Sequence, residues 1–176
     1  FASNFLVGEE KSRFLYIPEG GNWESVKDSL ETNKLVHDFL PFAFVSKMLG
    51  YQKIVKPGAY EISPNEANFS VIRRLKAGRQ TPIKLTFNSF RTKRQLAEKL
   101  DQKLGFSAQD ILSILNDPAK TATFGLDTFN IISVFVPNTY EVYWTIKPEA
   151  LMEKMKSAYE KLWNEDRLAK AKALNL

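Results

Sequence analysis

The most informative residues for chemistry are Phe135–Trp144, which read Phe-Val-Pro-Asn-Thr-Tyr-Glu-Val-Tyr-Trp. Pro137 lacks a backbone donor and Asn138 favours turns, so the block predicts a rigid corner before an alternating strand. Asn138 and Thr139 can hydrogen-bond to hydroxyl and amide groups of a ligand, and Tyr140 offers an apolar face with a polar edge. A plain turn before an edge strand is the alternative interpretation.

Two glutamates are candidates for a general acid or base. Glu141 follows Thr139 and Tyr140 in the alternating segment, where its side chain faces either a cleft or solvent. Glu19 lies in a predicted turn and is expected to be exposed. We therefore give Glu141 a supporting role at most, and a solvent-facing strand residue is the alternative.

Composition narrows the kinds of site that the chain can hold. The 176 residues include no Cys and one His, which excludes disulfides, thiolate metal sites and a two-histidine metal site. The histidine, His37, is interpreted as a surface or half-buried helix residue. No metal site and no cofactor are predicted. Hydrophobic residues make up 44% of the chain, and the 13 Phe, 6 Tyr and 3 Trp suffice for a largely aromatic core.

The net charge of +5 comes with two basic clusters, at 73–79 and at 91–94. A nucleic-acid-binding surface is one interpretation of such clusters. Acidic residues follow closely, so we favour a solvated helix face and predict no nucleic-acid partner. An anionic polymer of another kind could also use such a face. No stretch approaches the roughly 20 apolar residues of a membrane span, and no signal peptide opens the chain.

The first part of the chain predicts the order strand, helix, helix, strand. Phe14–Ile17 is a β-rich run that ends at the turn Pro18–Gly21. Asn22 can cap the first helix, and a second helical pattern follows it. A β segment over Ile54–Ile62, interrupted by a turn at Pro57–Gly58, completes the order.

A similar order begins again after residue 80. Alternating apolar residues predict a strand over Pro82–Phe87. Thr92–Gln95 predicts a capping box in which the Thr hydroxyl and the Gln side chain both cover backbone amides. Ser107–Asp110 opens a further helix. The chain therefore contains a weak internal repeat.

Two more helices are predicted outside this repeat. Phe69–Gly78 is expected to form a helix that bridges the two halves of the chain. A long helix is predicted from about residue 148 to residue 173, because apolar residues recur along it at helical spacing. Its stripe consists of Leu151, Met155, Ala158, Tyr159, Leu162 and Trp163. We interpret it as an ordinary packing helix.

Three stretches carry a family resemblance. Lys56–Ile62, followed by Phe69–Gly78, is similar to a K-x-G-x-Y … L-x-x-G segment, and Val136–Glu141 is similar to F-P-D-T-Y. Trp163–Arg167 lies in the helix that would lead towards a catalytic segment. In order and spacing these stretches resemble the YceG-like (MltG) family of endolytic murein transglycosylases, once labelled aminodeoxychorismate lyases. The resemblance covers nearly the whole chain.

The resemblance implies an α+β fold with two parts. Residues 10–80 would form a LysM-like βααβ subdomain with its bridging helix. Residues 81–176 would form the N-terminal part of a mixed α+β catalytic domain. The second part lacks the P-E-G turn that the family commonly has after the strand, with Phe87–Ser89 in its place.

The reaction implied is cleavage of nascent peptidoglycan strands between N-acetylmuramic acid and N-acetylglucosamine, with a 1,6-anhydro product, during cell wall assembly. It needs one carboxyl group kept protonated near neutral pH. In the family this Glu lies in a stretch like A-S-I-V-E after the long helix, and no such stretch precedes Leu176. We therefore expect no catalytic residue and no lytic activity in this chain.

The glycan site implied by the resemblance includes Asn138, Thr139, Tyr140 and Glu141. The family usually has Asp where Asn138 stands, so hydrogen bonding is kept while a charge is lost. Peptidoglycan strands are the expected ligand, and cell-wall synthases are further implied partners. The resemblance also implies an anchor upstream of Phe1 in the inner (plasma) membrane, with the protein facing the periplasm.

Two other classes of function stay open. A non-catalytic glycan-binding module would need only the LysM-like subdomain. A pyridoxal-phosphate lyase, which the older family label suggests, would need a Schiff-base Lys and a phosphate-cradling loop. The chain has no Gly-rich loop of that kind, so the second class is disfavoured.

Overall fold

The chain folds into two compact units with mixed α+β structure, and the predicted fold class is confirmed. The computed structural model describes residues 3–174. The first unit comprises the chain up to Ile83 together with Tyr143–Thr145, and the second comprises Lys84–Val142 and the chain from Ile146 onward. The return of Tyr143–Thr145 to the first unit was not anticipated from the sequence.

The first unit contains the predicted order strand, helix, helix, strand. Its elements are β1 (Ser3–Phe5), β2 (Arg13–Ile17), α1 (Trp23–Thr32), α2 (Phe39–Met48), a 3-10 turn (Tyr51–Lys53), β3 (Gly58–Ile62), β4 (Glu66–Ala67) and α3 (Asn68–Ala77). Strands β2 and β3 are antiparallel neighbours in one sheet, with Leu15 opposite Tyr60. Strands β1 and β4 form a second small antiparallel sheet, which the sequence analysis missed. The LysM-like assignment of this unit stays a prediction.

The core of the first unit lies between its sheet and its helices. Leu15 and Ile17 of β2 are buried, as the alternation along a half-buried strand requires. Helix α1 starts at a full capping box between Asn22 and Ser25 and buries Val26 and Leu30 against the strands.

Helix α3, the predicted bridging helix of residues 10–80, packs within the first unit. Its buried residues Val71, Ile72 and Leu75 are part of the first unit's core. The helix ends at Gly78, whose φ of 69° is left-handed. Apolar residues at helical spacing predict that one face of a helix is buried. They do not predict which part of the chain covers that face.

The second unit again begins with a strand, continues with helices and returns to a strand. Its elements are β5 (Ile83–Phe87), α4 (Lys93–Lys103), α5 (Ala108–Leu115), α6 (Pro118–Thr123), a 3-10 turn (Ile131–Val134), β6 (Asn138–Val142), α7 (Pro148–Leu162) and α8 (Glu165–Ala173). Strands β5 and β6 form a two-stranded sheet. Ile83, Leu85 and Phe87 of β5 are buried and its alternate residues are exposed, as predicted.

Two helix starts in this unit differ in their caps. The Thr92 hydroxyl accepts a hydrogen bond from the Gln95 amide, but the Gln95 side chain accepts from the Arg91 amide and not from Thr92. The predicted reciprocal box is therefore only half formed at α4. At α5 the box is complete, because Ser107 and Asp110 each accept from the other's backbone amide.

The long C-terminal helix is two helices. Helix α7 ends at Leu162, and the Asn164 side chain accepts from the Arg167 amide to start α8. An Asn side chain that accepts from a backbone amide ahead of it favours the start of a new helix over continuation of the preceding one. Only the first half of the predicted stripe is buried, at Leu151 and Met155, whereas Trp163 is 40% exposed. Within residues 3–174, no helix combines the length and the apolar character that crossing a bilayer requires.

Gly58 and Gly78 allow two close approaches around the start of β3. Gly58 has φ of 151°, and a Cβ atom there would lie 2.6 Å from Cδ of Gln80. A Cβ on Gly78 would lie 2.7 Å from Cδ of Lys56. Both glycines belong to the segment that carries the family resemblance. Their place in that motif is explained by backbone geometry, because a side chain at either position would meet a neighbouring side chain.

We predict that Gly58→Ala lowers the free energy of unfolding by about 2–5 kcal/mol, from backbone strain and the clash with Gln80. Gly20→Ala is the control, because Gly20 also has positive φ but open space around it; it should lose only about 1–2 kcal/mol. Urea unfolding followed by circular dichroism measures both. The double variant Gly58→Ala/Gln80→Ala should recover part of the loss, and no recovery would contradict the clash.

Candidate functional site

The polar block picked out from the sequence forms strand β6 and the corner before it. The 3-10 turn ends before Phe135, and β6 spans Asn138–Val142. Val142 is buried, whereas Asn138, Thr139 and Glu141 are exposed. The strand therefore presents three of the four predicted site residues to solvent.

Asn138 and Thr139 keep part of their hydrogen-bonding capacity. The Asn138 side-chain oxygen accepts from the Thr139 amide at 2.8 Å, and the Thr139 hydroxyl lies 2.9 Å from the Thr86 hydroxyl on β5. Within the described residues, no hydrogen bond uses the Asn138 side-chain N–H groups or the Glu141 carboxylate. These groups suit the hydroxyl and acetamido groups of a sugar.

Tyr140 differs from its neighbours because its hydroxyl is already used by the corner. The hydroxyl donates to the Val136 carbonyl at 3.0 Å. The half-buried ring contacts Phe87, with ring centroids 5.6 Å apart. Burial raises the pKa of Tyr140, so the hydroxyl keeps its proton at neutral pH. Tyr140 thus joins β6 to β5 and fixes the carbonyl that precedes Pro137.

The same corner occurs in the first unit, at the start of β3. The Tyr60 hydroxyl lies 3.1 Å from the Lys56 carbonyl and 3.3 Å from the Pro57 carbonyl. Lys56–Glu61 and Val136–Glu141 share Pro, Tyr and Glu at the same spacing, P-x-x-Y-E. Burial raises the pKa of Tyr60 as well. The sequence analysis missed this correspondence, although the shared spacing was the signal that could have found it.

Among residues 3–174, two carboxyl groups have a clearly shifted pKa, and both pKa values are lowered, away from what a general acid needs. Burial disfavours the charged form of Glu66, but hydrogen bonds from Arg74, Ser63 and Ser70 and the Arg74 charge outweigh it and lower the pKa. Hydrogen bonds from Ser107 lower the pKa of the exposed Asp110. A general acid must instead stay protonated near neutral pH.

The remaining candidates lie in exposed positions. Glu19 is exposed in the turn after β2, and Glu141 is exposed on β6. His37 lies in the connection between α1 and α2, not in a helix as predicted, because Asp38 caps α2 directly after it. Across residues 3–174, no group of three or more His, Cys, Asp or Glu side chains could hold a metal ion.

A second surface feature of the first unit is a basic groove along α3. It has a volume of about 820 Å³. Its lining residues are Leu49, Phe69, Ser70, Arg73, Arg74, Lys76, Ala77 and Arg79. Arg74 forms an ion pair with Glu66 at 2.7 Å, whereas no ion pair within residues 3–174 uses Arg73, Lys76 or Arg79. The first basic cluster of the sequence is therefore concentrated in one concave surface.

Fold and corners together define an α+β protein whose two units each contain a two-stranded sheet entered through a Pro-Tyr corner. The chain belongs to the YceG-like family, whose sequence model matches residues 15–176, and the resemblance is confirmed. In structure the chain is similar to a yceG-like protein from Listeria monocytogenes, with a TM-score of 0.47 and 21% identity over 93% of this chain. The chain spans 60% of that protein's solved chain. Comparison with curated proteins finds no match.

We predict that Tyr60→Phe lowers the free energy of unfolding by about 1–2 kcal/mol, because two carbonyls lose their donor at a corner closed by the buried Tyr60 ring. Tyr140→Phe should cost about 0.5–1 kcal/mol, since water can replace the hydroxyl at a half-buried site. Tyr143→Phe is the control, because Tyr143 is 53% exposed and outside both corners. Thermal and urea unfolding measure the series, and equal losses at Tyr60 and Tyr143 would refute a structural role for the corner.

Glu66→Gln should lower stability at neutral pH by about 1–2 kcal/mol, because the hydrogen bonds to the charged carboxylate weaken. The folded-state pKa of Glu66 is lowered, so its contribution is present above the unfolded value of about 4.3 and is lost as pH falls through the folded value. The difference between variant and parent should therefore shrink below about pH 4. Glu9→Gln, in an exposed pair with Arg13, should change stability by no more than about 0.5 kcal/mol.

Proposed function

We propose that this chain is part of an endolytic lytic transglycosylase that cleaves nascent peptidoglycan strands between N-acetylmuramic acid and N-acetylglucosamine, with a 1,6-anhydro product. Membership of the YceG-like family over residues 15–176 carries this proposal. The activity fits a protein of cell wall assembly. The ligand is a glycan strand, and cell-wall synthases are partners of the same process.

In this proposal the chain holds the glycan and the general acid lies outside residues 1–176. One protonated carboxyl group donates to the glycosidic oxygen and then accepts the proton of the sugar's 6-hydroxyl, which closes the anhydro ring. The lowered pKa values of Glu66 and Asp110 are unsuited to that role. Glu141 is exposed on β6, where a supporting hydrogen bond to the sugar is the role that we assign to it.

The β6 corner is the proposed contact with the glycan. The Asn138 amide and the Glu141 carboxylate provide donors and acceptors for hydroxyl and acetamido groups, and Thr139 lies between them. Pro137 and the Tyr140 hydroxyl fix the backbone that carries these groups, so little flexibility is lost on binding. We further propose that the whole protein is attached to the inner membrane and faces the periplasm.

A non-catalytic glycan-binding module is the second candidate function. The observation in its favour is the first unit, in which two antiparallel strands flank two helices in the order of a LysM-like module. Such a module would bind chitooligosaccharides without cleaving any bond. The two functions differ in the products, so one set of measurements separates them.

Asn138→Ala should weaken binding of the chain to purified glycan strands by up to about tenfold, the effect of losing one hydrogen bond of about 0.5–1.5 kcal/mol. Isothermal titration calorimetry measures the affinity. Gln102→Ala is the matched control, because Gln102 is an exposed amide that belongs to α4 and not to β6. Equal affinities for both variants would remove Asn138 from the site.

Product analysis by mass spectrometry completes the test. Residues 1–176 should release no anhydro-muropeptides, and a longer protein that includes the family's catalytic segment should release them. Cleavage by residues 1–176 would place the general acid within this chain, and Glu141→Gln would then identify it. Binding without cleavage by the longer protein would favour the glycan-binding module.

A further inference from the structure

Helix α2 carries an apolar stripe that faces away from the core of the first unit. Leu40, Phe44 and Met48 are 78%, 70% and 60% exposed. They are spaced four residues apart and so lie along one face of the helix. Phe42 and Ser46, between them in sequence, are buried. Three large apolar side chains in a row at this exposure are typical of an interaction surface.

The basic groove along α3 adjoins the end of this stripe. Leu49 follows Met48 directly and lines the groove. The Lys76 ammonium donates to the Leu49 carbonyl at 2.7 Å, which ties α3 to the end of α2. Arg73 lies over the Phe69 ring, 5.6 Å from its centroid. We call the stripe and the groove together the α2–α3 surface.

The α2–α3 surface combines two features that together select one kind of partner. Arg73, Lys76 and Arg79 form no ion pair within residues 3–174, so they attract an anion. A soluble phosphate or polyanion would satisfy these charges but leave Leu40, Phe44 and Met48 in water. A second copy of the chain in a two-fold pair would bring like charges together. An anionic lipid bilayer matches both features, because its phosphates can pair with the basic side chains while its apolar layer, directly below them, covers the apolar stripe.

We propose that the α2–α3 surface docks on an anionic membrane. Leu40, Phe44 and Met48 enter the boundary between headgroups and acyl chains, and Arg73, Lys76 and Arg79 contact lipid phosphates. Docking of this kind holds the first unit flat against the bilayer. It is a contact of this folded unit and does not depend on the proposed cleavage reaction.

Vesicle co-sedimentation tests the electrostatic part. The chain should bind vesicles of phosphatidylcholine with phosphatidylglycerol, bind phosphatidylcholine alone at least tenfold more weakly, and lose affinity as salt rises. The triple variant Arg73→Glu/Lys76→Glu/Arg79→Glu should lose more than about tenfold in affinity. The control Lys103→Glu/Lys120→Glu/Lys154→Glu changes the net charge equally at exposed positions of the second unit, and it should keep most of the binding.

Fluorescence tests the apolar part. Relative to the parent chain with its three Trp residues, a Phe44→Trp variant should gain tryptophan emission that shifts to the blue on anionic vesicles and is quenched by brominated acyl chains. A Leu40→Ser/Met48→Ser variant should bind several-fold more weakly while its melting temperature is unchanged, since both side chains are exposed.

Three outcomes would overturn the proposal. The first is an equal loss of vesicle binding in the triple variant and its control. The second is binding of inorganic polyphosphate as tight as that of vesicles, with no change in Phe44→Trp emission on the vesicles. The third is self-association or capture of an acidic protein that Phe44→Ser abolishes, without any vesicle binding at low salt.

Discussion

A tyrosine hydroxyl bonded to the carbonyl four residues earlier is the interaction on which the β2–β3 and β5–β6 sheets depend. Pro57 and Pro137 each remove a backbone donor where the chain turns into a strand, and the Tyr60 and Tyr140 hydroxyls donate to the carbonyls of the residues before these prolines. Loss of such a hydrogen bond would cost about 0.5–1.5 kcal/mol. The corner therefore sets where β3 and β6 begin, and with that the register in which β3 pairs with β2.

The two corners serve different environments. In the first unit the corner is closed, because Tyr60 is fully buried and Gly58 lies against Gln80. In the second unit the corner is open, because Asn138 and Thr139 replace Gly58 and Ala59 and their side chains face solvent. The same Pro-Tyr corner thus completes the core of the first unit and exposes polar side chains in the second unit. This difference directs our functional proposal to β6.

Local patterns predicted much of this fold and part of the candidate site. Asn22 was sufficient to predict the start of α1, the β-rich run Phe14–Ile17 to predict β2, and the alternation of apolar residues to predict β5. Caps and strands of this kind are set by residues close in sequence. The Thr92–Gln95 box was only half right, and the single long C-terminal helix was wrong. In both places two local arrangements compete, since Gln95 can cover either of two amides and Asn164 can start a new helix. Short-range patterns do not rank such alternatives.

The sequence by itself determined the family, the α+β class and the polar character of Asn138, Thr139 and Glu141. These depend on residue types and on short spacings, which the chain carries in any conformation. Only the tertiary structure decided that α3 belongs to the first core, that Tyr140 is committed to the Val136 carbonyl, and that Leu40, Phe44 and Met48 stay exposed. Burial depends on which distant segments meet. An apolar side chain therefore has the same pattern in sequence whether it is covered or faces solvent.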